Sequence, residues 1–139
     1  MKAPHLLRVD QPPAAFAALV AELRSQGLRA GWLDLGNEAP VQPLPPQLAE
    51  AADLGVLRAV AVTPELSVAV KPRRGAPVLQ DVLREHFLGC AVVLVQGEIA
   101  APRLLATEDG WRLEPEVGEA RLLSAAELAA QLRRPHPWN

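Results

Sequence analysis

Apolar residues in the first third of the chain predict a helix between two strands. The i, i+3, i+4, i+7 spacing of one apolar helix face is present at Phe16, Leu19, Val20 and Leu23. Short apolar runs at 5–9 and 29–35 predict the flanking strands. We expect these strands to be parallel and joined by a right-handed crossover, with Asp10 capping the helix and Gly27 ending it.

Proline interrupts the pattern in the middle of the chain. Residues 37–46 contain four prolines, which predicts a stiff surface connection without regular structure. A short helix is predicted over 47–54, ended by Gly55. The β-rich runs 57–63 and 66–71 then predict a tight antiparallel hairpin, although Pro-Glu is not a favoured two-residue turn.

The second half of the chain contains two further helices and three strands. Five apolar-face residues predict a helix from Pro77 to Leu88 that Gly89 ends, namely Leu79, Val82, Leu83, His86 and Phe87. The continuous apolar run 90–95 predicts a strand covered on both faces. Runs 103–106 and 111–114 flank Asp109-Gly110 and predict a hairpin. Ser124 and Glu127 match a capping box that begins a terminal helix.

These elements follow the order β-α-β-α-ββ-α-β-ββ-α. The simplest architecture is α/β, with one mixed sheet and about four helices packed on it, and α+β is the alternative. The chain has 139 residues, which suits one globular domain over 1–139 with a short tail at 135–139.

Composition narrows the functional classes. A hydrophobic fraction of 50% with 22% charged residues is typical of a globular protein. The net charge of −2 argues against a nucleic-acid partner. One cysteine and no long apolar run predict a cytoplasmic protein that does not associate with a membrane. Arginine, alanine, leucine and proline are frequent, which is typical of a GC-rich bacterial genome.

The strongest candidate site is the basic loop Lys71-Pro72-Arg73-Arg74-Gly75, which precedes a predicted helix N-terminus. Helix N-termini favour anions, and Lys71, Arg73 and Arg74 would strengthen a phosphate site that Gly75 lets the backbone approach. The segment lacks the G-x-x-x-x-G-K-[ST] pattern of a P-loop. A solvated turn explains the same residues without a ligand.

His86 is a weaker catalytic candidate, with Glu85 or Asp81 nearby as acid–base partners. A histidine near a helix C-terminus is also explained by its favourable interaction with the helix dipole. Cys90 could pair with His86 as a nucleophile, but the sequence shows no third residue to orient the pair.

The sequence predicts neither a cofactor nor a metal. Asp34 lies where a ribose-binding acid could stand, but the first turn contains no glycine, so the G-x-G-x-x-G pattern is absent. His5, His86 and His136 are too widely spaced to indicate a metal site.

Three functions therefore stay open. The first is a non-catalytic module that binds a partner protein or forms a homo-oligomer, because polar residues suited to catalysis are few. The second is a phosphate- or nucleotide-binding domain that takes a phosphate-containing small molecule at the basic loop. The third is a small enzyme that uses His86. The tail tryptophan Trp138 either docks on its own domain or contacts a partner.

Overall fold

The alternation of strands and helices predicted from the sequence is present in the computed structural model, which describes residues 2–35 and 43–137. The helices are α1 (Ala17–Ser25), α2 (Pro46–Asp53), α3 (Leu79–His86) and α4 (Ala125–Leu132), and a 3-10 helix over Pro13–Phe16 precedes α1. The strands are β1 (Lys2–Ala3), β2 (His5–Arg8), β3 (Ala30–Asp34), β4 (Ala59–Val62), β5 (Ser67–Val70), β6 (Val92–Gln96), β7 (Arg103–Thr107), β8 (Gly110–Glu114), β9 (Arg121–Leu123) and β10 (His136–Pro137).

The α/β class is confirmed, and six of the strands form one mixed sheet. Their order is β3-β6-β2-β7-β8-β9. The pairs from β3 to β7 are parallel, and β7, β8 and β9 are antiparallel. The hairpin β4–β5 forms a two-stranded sheet of its own, so the expectation that one sheet includes every strand is wrong. Strands β1 and β10 form a second small pair, through which the tail segment His136–Pro137 joins the N-terminus.

Contacts divide the chain into two compact units. The sheet unit comprises Met1–Asn37 and Val82–Asn139, and the hairpin unit comprises Glu38–Asp81. The assignment of 1–139 to one domain stays a prediction. Of the predicted proline-rich connection, residues 37–42 lie outside the described residues, as does Trp138.

Strand β6 occupies the centre of the parallel part of the sheet. Strands β2 and β3 are parallel, as predicted, but each pairs with β6 rather than with the other. Val92, Val93, Leu94 and Val95 are all buried, so side chains on both faces of β6 are covered. A strand that is apolar on both faces is most stable in this inner position, because each face is then shielded by packed elements.

The core lies on one face of the six-stranded sheet, under α1 and α4. Phe16 is 1% exposed and lies between two tryptophans, with ring centroids 6.0 Å from Trp32 and 5.8 Å from Trp111. Leu19 and Leu128 from the two helices belong to the same buried cluster. The apolar face predicted for the first helix is therefore a face that packs into the core.

The connection after β2 differs from the sequence prediction. Asp10 does not cap a helix; the 3-10 helix begins at Pro13 after Pro12, without a side-chain cap. Asp10 instead accepts a hydrogen bond from Arg103, at 2.6 Å. Gln11 donates to the Ala106 carbonyl at 3.0 Å and accepts from its N–H at 2.7 Å. The Gln11 side-chain amide thus makes the two hydrogen bonds that the backbone of a neighbouring strand would make with Ala106. These bonds attach the segment after β2 to β7.

Two further boundaries shift by a few residues. Helix α3 begins at Leu79 rather than Pro77 and ends at His86, with Gly89 at a positive φ of 87° after it. In the β7–β8 hairpin, Thr107 pairs with Gly110, so the two turn residues are Glu108 and Asp109. The turn lies one residue earlier than Asp109-Gly110 predicted.

The predicted hairpin in the middle of the chain is confirmed. Val62 pairs with Ser67, and the Thr63 N–H donates to the Leu66 carbonyl at 2.7 Å. The Thr63 hydroxyl also accepts from the Leu66 N–H at 3.0 Å. This second contact explains how Pro64-Glu65 serves as a turn: a threonine side chain stabilises it in place of the usual glycine or asparagine.

The capping box of α4 is also confirmed and supports a pH prediction. Ser124 Oγ accepts from the Glu127 N–H, and Glu127 Oε1 accepts from the Ser124 N–H, both at 3.1 Å. These hydrogen bonds hold the pKa of Glu127 below its usual value. Because the folded-state pKa is the lower one, this contribution to stability is present above the usual pKa and is lost as pH falls through the folded-state pKa. We expect Ser124→Ala, which keeps the backbone N–H that is the larger cause and removes only the hydroxyl, to raise the Glu127 pKa part of the way towards its usual value, as measured by NMR titration. An unchanged Glu127 pKa would contradict a contribution from the hydroxyl.

Every helix in the described ranges is too short or too polar to span a bilayer.

Candidate functional site

The basic loop lies in the hairpin unit, directly after β5. Lys71 is half-buried, whereas Arg73, Arg74 and Gly75 are exposed. Gly75 has a positive φ of 77°, which glycine adopts without strain. Helix α3 begins only at Leu79, so three residues separate its first turn from Gly75. Anion binding by this loop stays a prediction, and the distance along the chain from α3 weakens the expected help from its N-terminus.

His86 is the last residue of α3, and its side chain is 49% exposed. Its Nε2 lies 3.9 Å from Glu85 Oε1, and its ring meets Phe87 edge-on with centroids 6.3 Å apart. Asp81 is exposed on the same helix, whereas the Glu85 side chain is 24% exposed. The half-exposed ring lies beside a carboxylate, and catalysis by His86 stays a prediction.

Cys90 follows Gly89 and is half-buried at the beginning of the link into β6. Burial raises the pKa of the thiol, and the positive charge of Arg29 offsets part of this rise. The thiol is therefore protonated at neutral pH, which does not suit a nucleophile.

The other polar candidates are dispersed over the sheet unit. Asp34 is the exposed last residue of β3. His5 is in β2, and its Nε2 hydrogen-bonds the carbonyl of Arg134. Within 2–35 and 43–137, no group of three or more His, Cys, Asp or Glu residues is arranged to hold a metal ion.

The sheet brings together an ionic row that the sequence did not indicate. Arg8 pairs in register with Arg103, and Arg103 pairs with Glu114, so the three side chains occupy one face of three neighbouring strands. Arg103 also contacts Asp10, at 2.6 Å, and Glu114, at 3.6 Å, and Arg8 lies 3.5 Å from Glu98. The alternation of apolar Leu7 and charged Arg8 indicates from the sequence that these two side chains point to opposite faces of the sheet. Only the strand order places Arg8 beside Arg103.

This ionic row borders a cavity of about 400 Å³ that is also lined by Ile99, Pro115 and Glu116. Each arginine there already has a carboxylate partner, so the ion pairs account for the charges without a ligand. The ion pairs of Arg103 join β7 to β8 and to Asp10, which follows β2.

Exposed apolar side chains dominate the hairpin unit. Six of its large apolar residues are between 51% and 82% exposed: Leu54, Leu57, Val60, Val62, Leu66 and Val78. By contrast, its buried apolar residues within 43–81 are Leu48 and Ala59. An excess of exposed over buried apolar side chains is unusual, because the apolar groups of a folded unit are normally covered by its own core.

One face of the hairpin concentrates this apolar surface. The cross-strand pairs Val60–Ala69 and Val62–Ser67 point to the same side, because side chains alternate along each strand. We call these four residues the outer hairpin face. It contains no charged side chain, although the solvent-facing side of an antiparallel hairpin is normally polar.

Comparison with known proteins adds no functional information. No protein-family model matches the sequence, and no curated protein matches it.

Proposed function

We propose that the chain is a non-catalytic self-association module, in which the outer hairpin face packs against the same face of a second copy. The observation that carries this proposal is the exposure of Val60 and Val62 on a hairpin face without charge. Removing apolar surface from water stabilises an interface by about 25 cal/mol per Å² of area buried. A two-stranded hairpin is also marginal alone, so it gains stability from a covering partner.

Charge favours a second copy of this chain as the partner. An uncharged face meets its own copy without like-charge repulsion, and homo-oligomers commonly use such two-fold contacts. The turn of the hairpin carries Glu65, whereas its open end is flanked by Arg58 and Lys71. Antiparallel two-fold packing would place the acidic turn of one copy beside the basic end of the other.

The edges of the hairpin offer a further means of pairing. Among the described residues, β4 and β5 each pair only with the other, so each has an outer edge of backbone N–H and C=O groups. Free strand edges join readily to another chain. Pairing at such an edge would be additional to the proposed contact, because packing two faces together leaves the strand edges at the side.

The proposal is tested by the mass of the full chain in solution and by Val62→Glu. We expect wild-type protein to sediment as a dimer. Burying two glutamates at a symmetric contact should cost about 1 kcal/mol per copy or more, which weakens the dimer roughly 30-fold. Sedimentation velocity over a range of concentrations measures this change.

Val117→Glu is the matched control, because it makes the same substitution at a residue that is 91% exposed in the sheet unit. We expect it to leave the dimer intact, with both variants giving the wild-type circular dichroism spectrum. A wild-type chain that stays monomeric would overturn the proposal, even if it bound lipid vesicles or another protein. Equal weakening by the two glutamates would overturn it as well.

A further inference from the structure

A second cavity, of about 230 Å³, lies in the sheet unit at the end where the parallel strands begin. It is an open cavity bordered by β1, by the residues that follow α1, by the C-terminal end of α4 and the residues after it, and by the link from Gly89 to Ala91. Its charged lining residues are Lys2, Arg29 and Arg133. Among the residues that the structure describes, no aspartate or glutamate lines it, so its charged lining is entirely positive.

These cations differ from the arginines of the ionic row. Within 2–35 and 43–137, none of Lys2, Arg29 and Arg133 forms an ion pair. Arg8 and Arg103, in contrast, each have carboxylate partners. Like charges brought together without counter-charges repel one another, and an anion between them would relieve that repulsion.

The partial negative charges of nearby helix C-termini offset only part of this positive charge. Gly27 and Gly89 follow the C-termini of α1 and α3, and Arg133 follows that of α4. A helix C-terminus carries about half a negative charge, so cations are favoured there. The carbonyls at these ends already accept backbone hydrogen bonds, for example Arg24 from Gly27 at 3.0 Å and Ala129 from Arg133 at 3.1 Å. Three full positive charges exceed what the helix ends neutralise.

The Arg133 guanidinium is held in position by its neighbours. Its Nη2 donates to Gln26 Oε1, and Gln26 Nε2 donates in turn to Glu22 Oε1 at 2.7 Å. A guanidinium has five N–H donors, so donors remain for another acceptor. Holding Arg133 in this way lowers the entropy that a ligand must overcome on binding.

We propose that this cavity, lined by Lys2, Arg29 and Arg133, binds the phosphate group of a small molecule. Arginine guanidinium groups bind phosphate oxygens in bidentate fashion, and lysine adds a point charge. A water occupies about 30 Å³ in the liquid, so the cavity holds a phosphate and several further atoms. The basic loop Arg73–Arg74 belongs to the hairpin unit, so this site is distinct from the one that the sequence predicted.

Titration calorimetry of the full chain with inorganic phosphate and with glycerol phosphate tests the proposal. We expect Arg29→Ala to weaken binding roughly tenfold or more, because it removes charge-assisted hydrogen bonds. Arg133→Ala should act in the same direction. Arg121→Ala removes an exposed arginine from β9 in the same unit; it is the matched control and should bind as wild type does. The double variant Arg73→Ala/Arg74→Ala tests the basic loop in the same assay.

Cys90 lines the same cavity and provides a second readout. Bound phosphate should slow alkylation of Cys90 by iodoacetamide in wild-type protein and not in Arg29→Ala. Tighter binding of glycerol phosphate than of inorganic phosphate identifies an organic ester as the ligand, and equal binding identifies the free ion. The proposal is overturned by an absence of heat together with unprotected Cys90, or by a loss of binding confined to the Arg73/Arg74 variant. Equal weakening by all variants would also overturn it.

Discussion

Replacing Phe16 with alanine is expected to lower the free energy of unfolding by about 3–5 kcal/mol. The ring is 1% exposed and packs between Trp32 and Trp111, so its loss leaves a cavity bounded by two large side chains that cannot easily close it. Domains of this size are stable by about 5–15 kcal/mol, so the variant should be close to unfolding. Urea denaturation measures the change, and tryptophan emission should shift to longer wavelength because both indoles lose a packing partner.

Two further variants separate the effect of the cavity from that of substitution as such. Phe16→Leu keeps an apolar side chain between the tryptophans and should cost clearly less than the alanine variant. Val117→Ala, at a side chain that is 91% exposed, should change stability by no more than about 0.5 kcal/mol. If Phe16→Ala lowered the free energy of unfolding by no more than Val117→Ala does, the aromatic cluster would not be the centre of the core.

Replacing Gly110 with alanine should destabilise the protein by about 2–4 kcal/mol, through backbone strain and a clash acting together. Gly110 begins β8 at a φ of 142°, which residues with a side chain rarely adopt. A Cβ there would lie 2.8 Å from the carbonyl oxygen of Leu123. This oxygen is backbone of β9 and cannot turn away as a flexible side chain could. Thermal unfolding measures the loss, and amide exchange should quicken first in β9.

Gly118→Ala is the matched control for this prediction. Gly118 also has a positive φ, of 109°, but an added Cβ would come no closer than 3.8 Å to Pro115. It should therefore show the cost of strain alone, about 1–2 kcal/mol. If the two alanines were equally destabilising, the close approach of β9 would contribute nothing at Gly110.

Local chemistry made the individual elements predictable. The Ser124–Glu127 capping box, the positive-φ glycines after α1 and α3, and the hairpin at Pro64-Glu65 each involve residues a few positions apart. Such interactions depend on few neighbours, so the sequence of a short segment contains the information required. The misplaced turn before Gly110 shows the limit of this approach: the approach of Leu123, thirteen residues later, also restricts which residue can begin β8.

The candidate sites were harder to predict, because charge clusters in sequence and charge clusters in space differ. Arg73 and Arg74 are adjacent along the chain and attract attention for that reason. Lys2, Arg29 and Arg133 are scattered over the whole chain and meet at one cavity only because α1, α4 and β1 end near the same edge of the sheet. Asp10 was assigned to a helix cap, but β7 brings Arg103 within 2.6 Å of it.

The sequence by itself determined the α/β class, the order of the main elements and the apolar faces that form the core, because periodicity acts within single helices and strands. Only the tertiary structure decided that β6 lies between β2 and β3 and that β4–β5 forms a separate sheet with an uncovered apolar face. Strand order depends on which surfaces cover one another across long stretches of chain, and the patterns of single segments do not encode that choice.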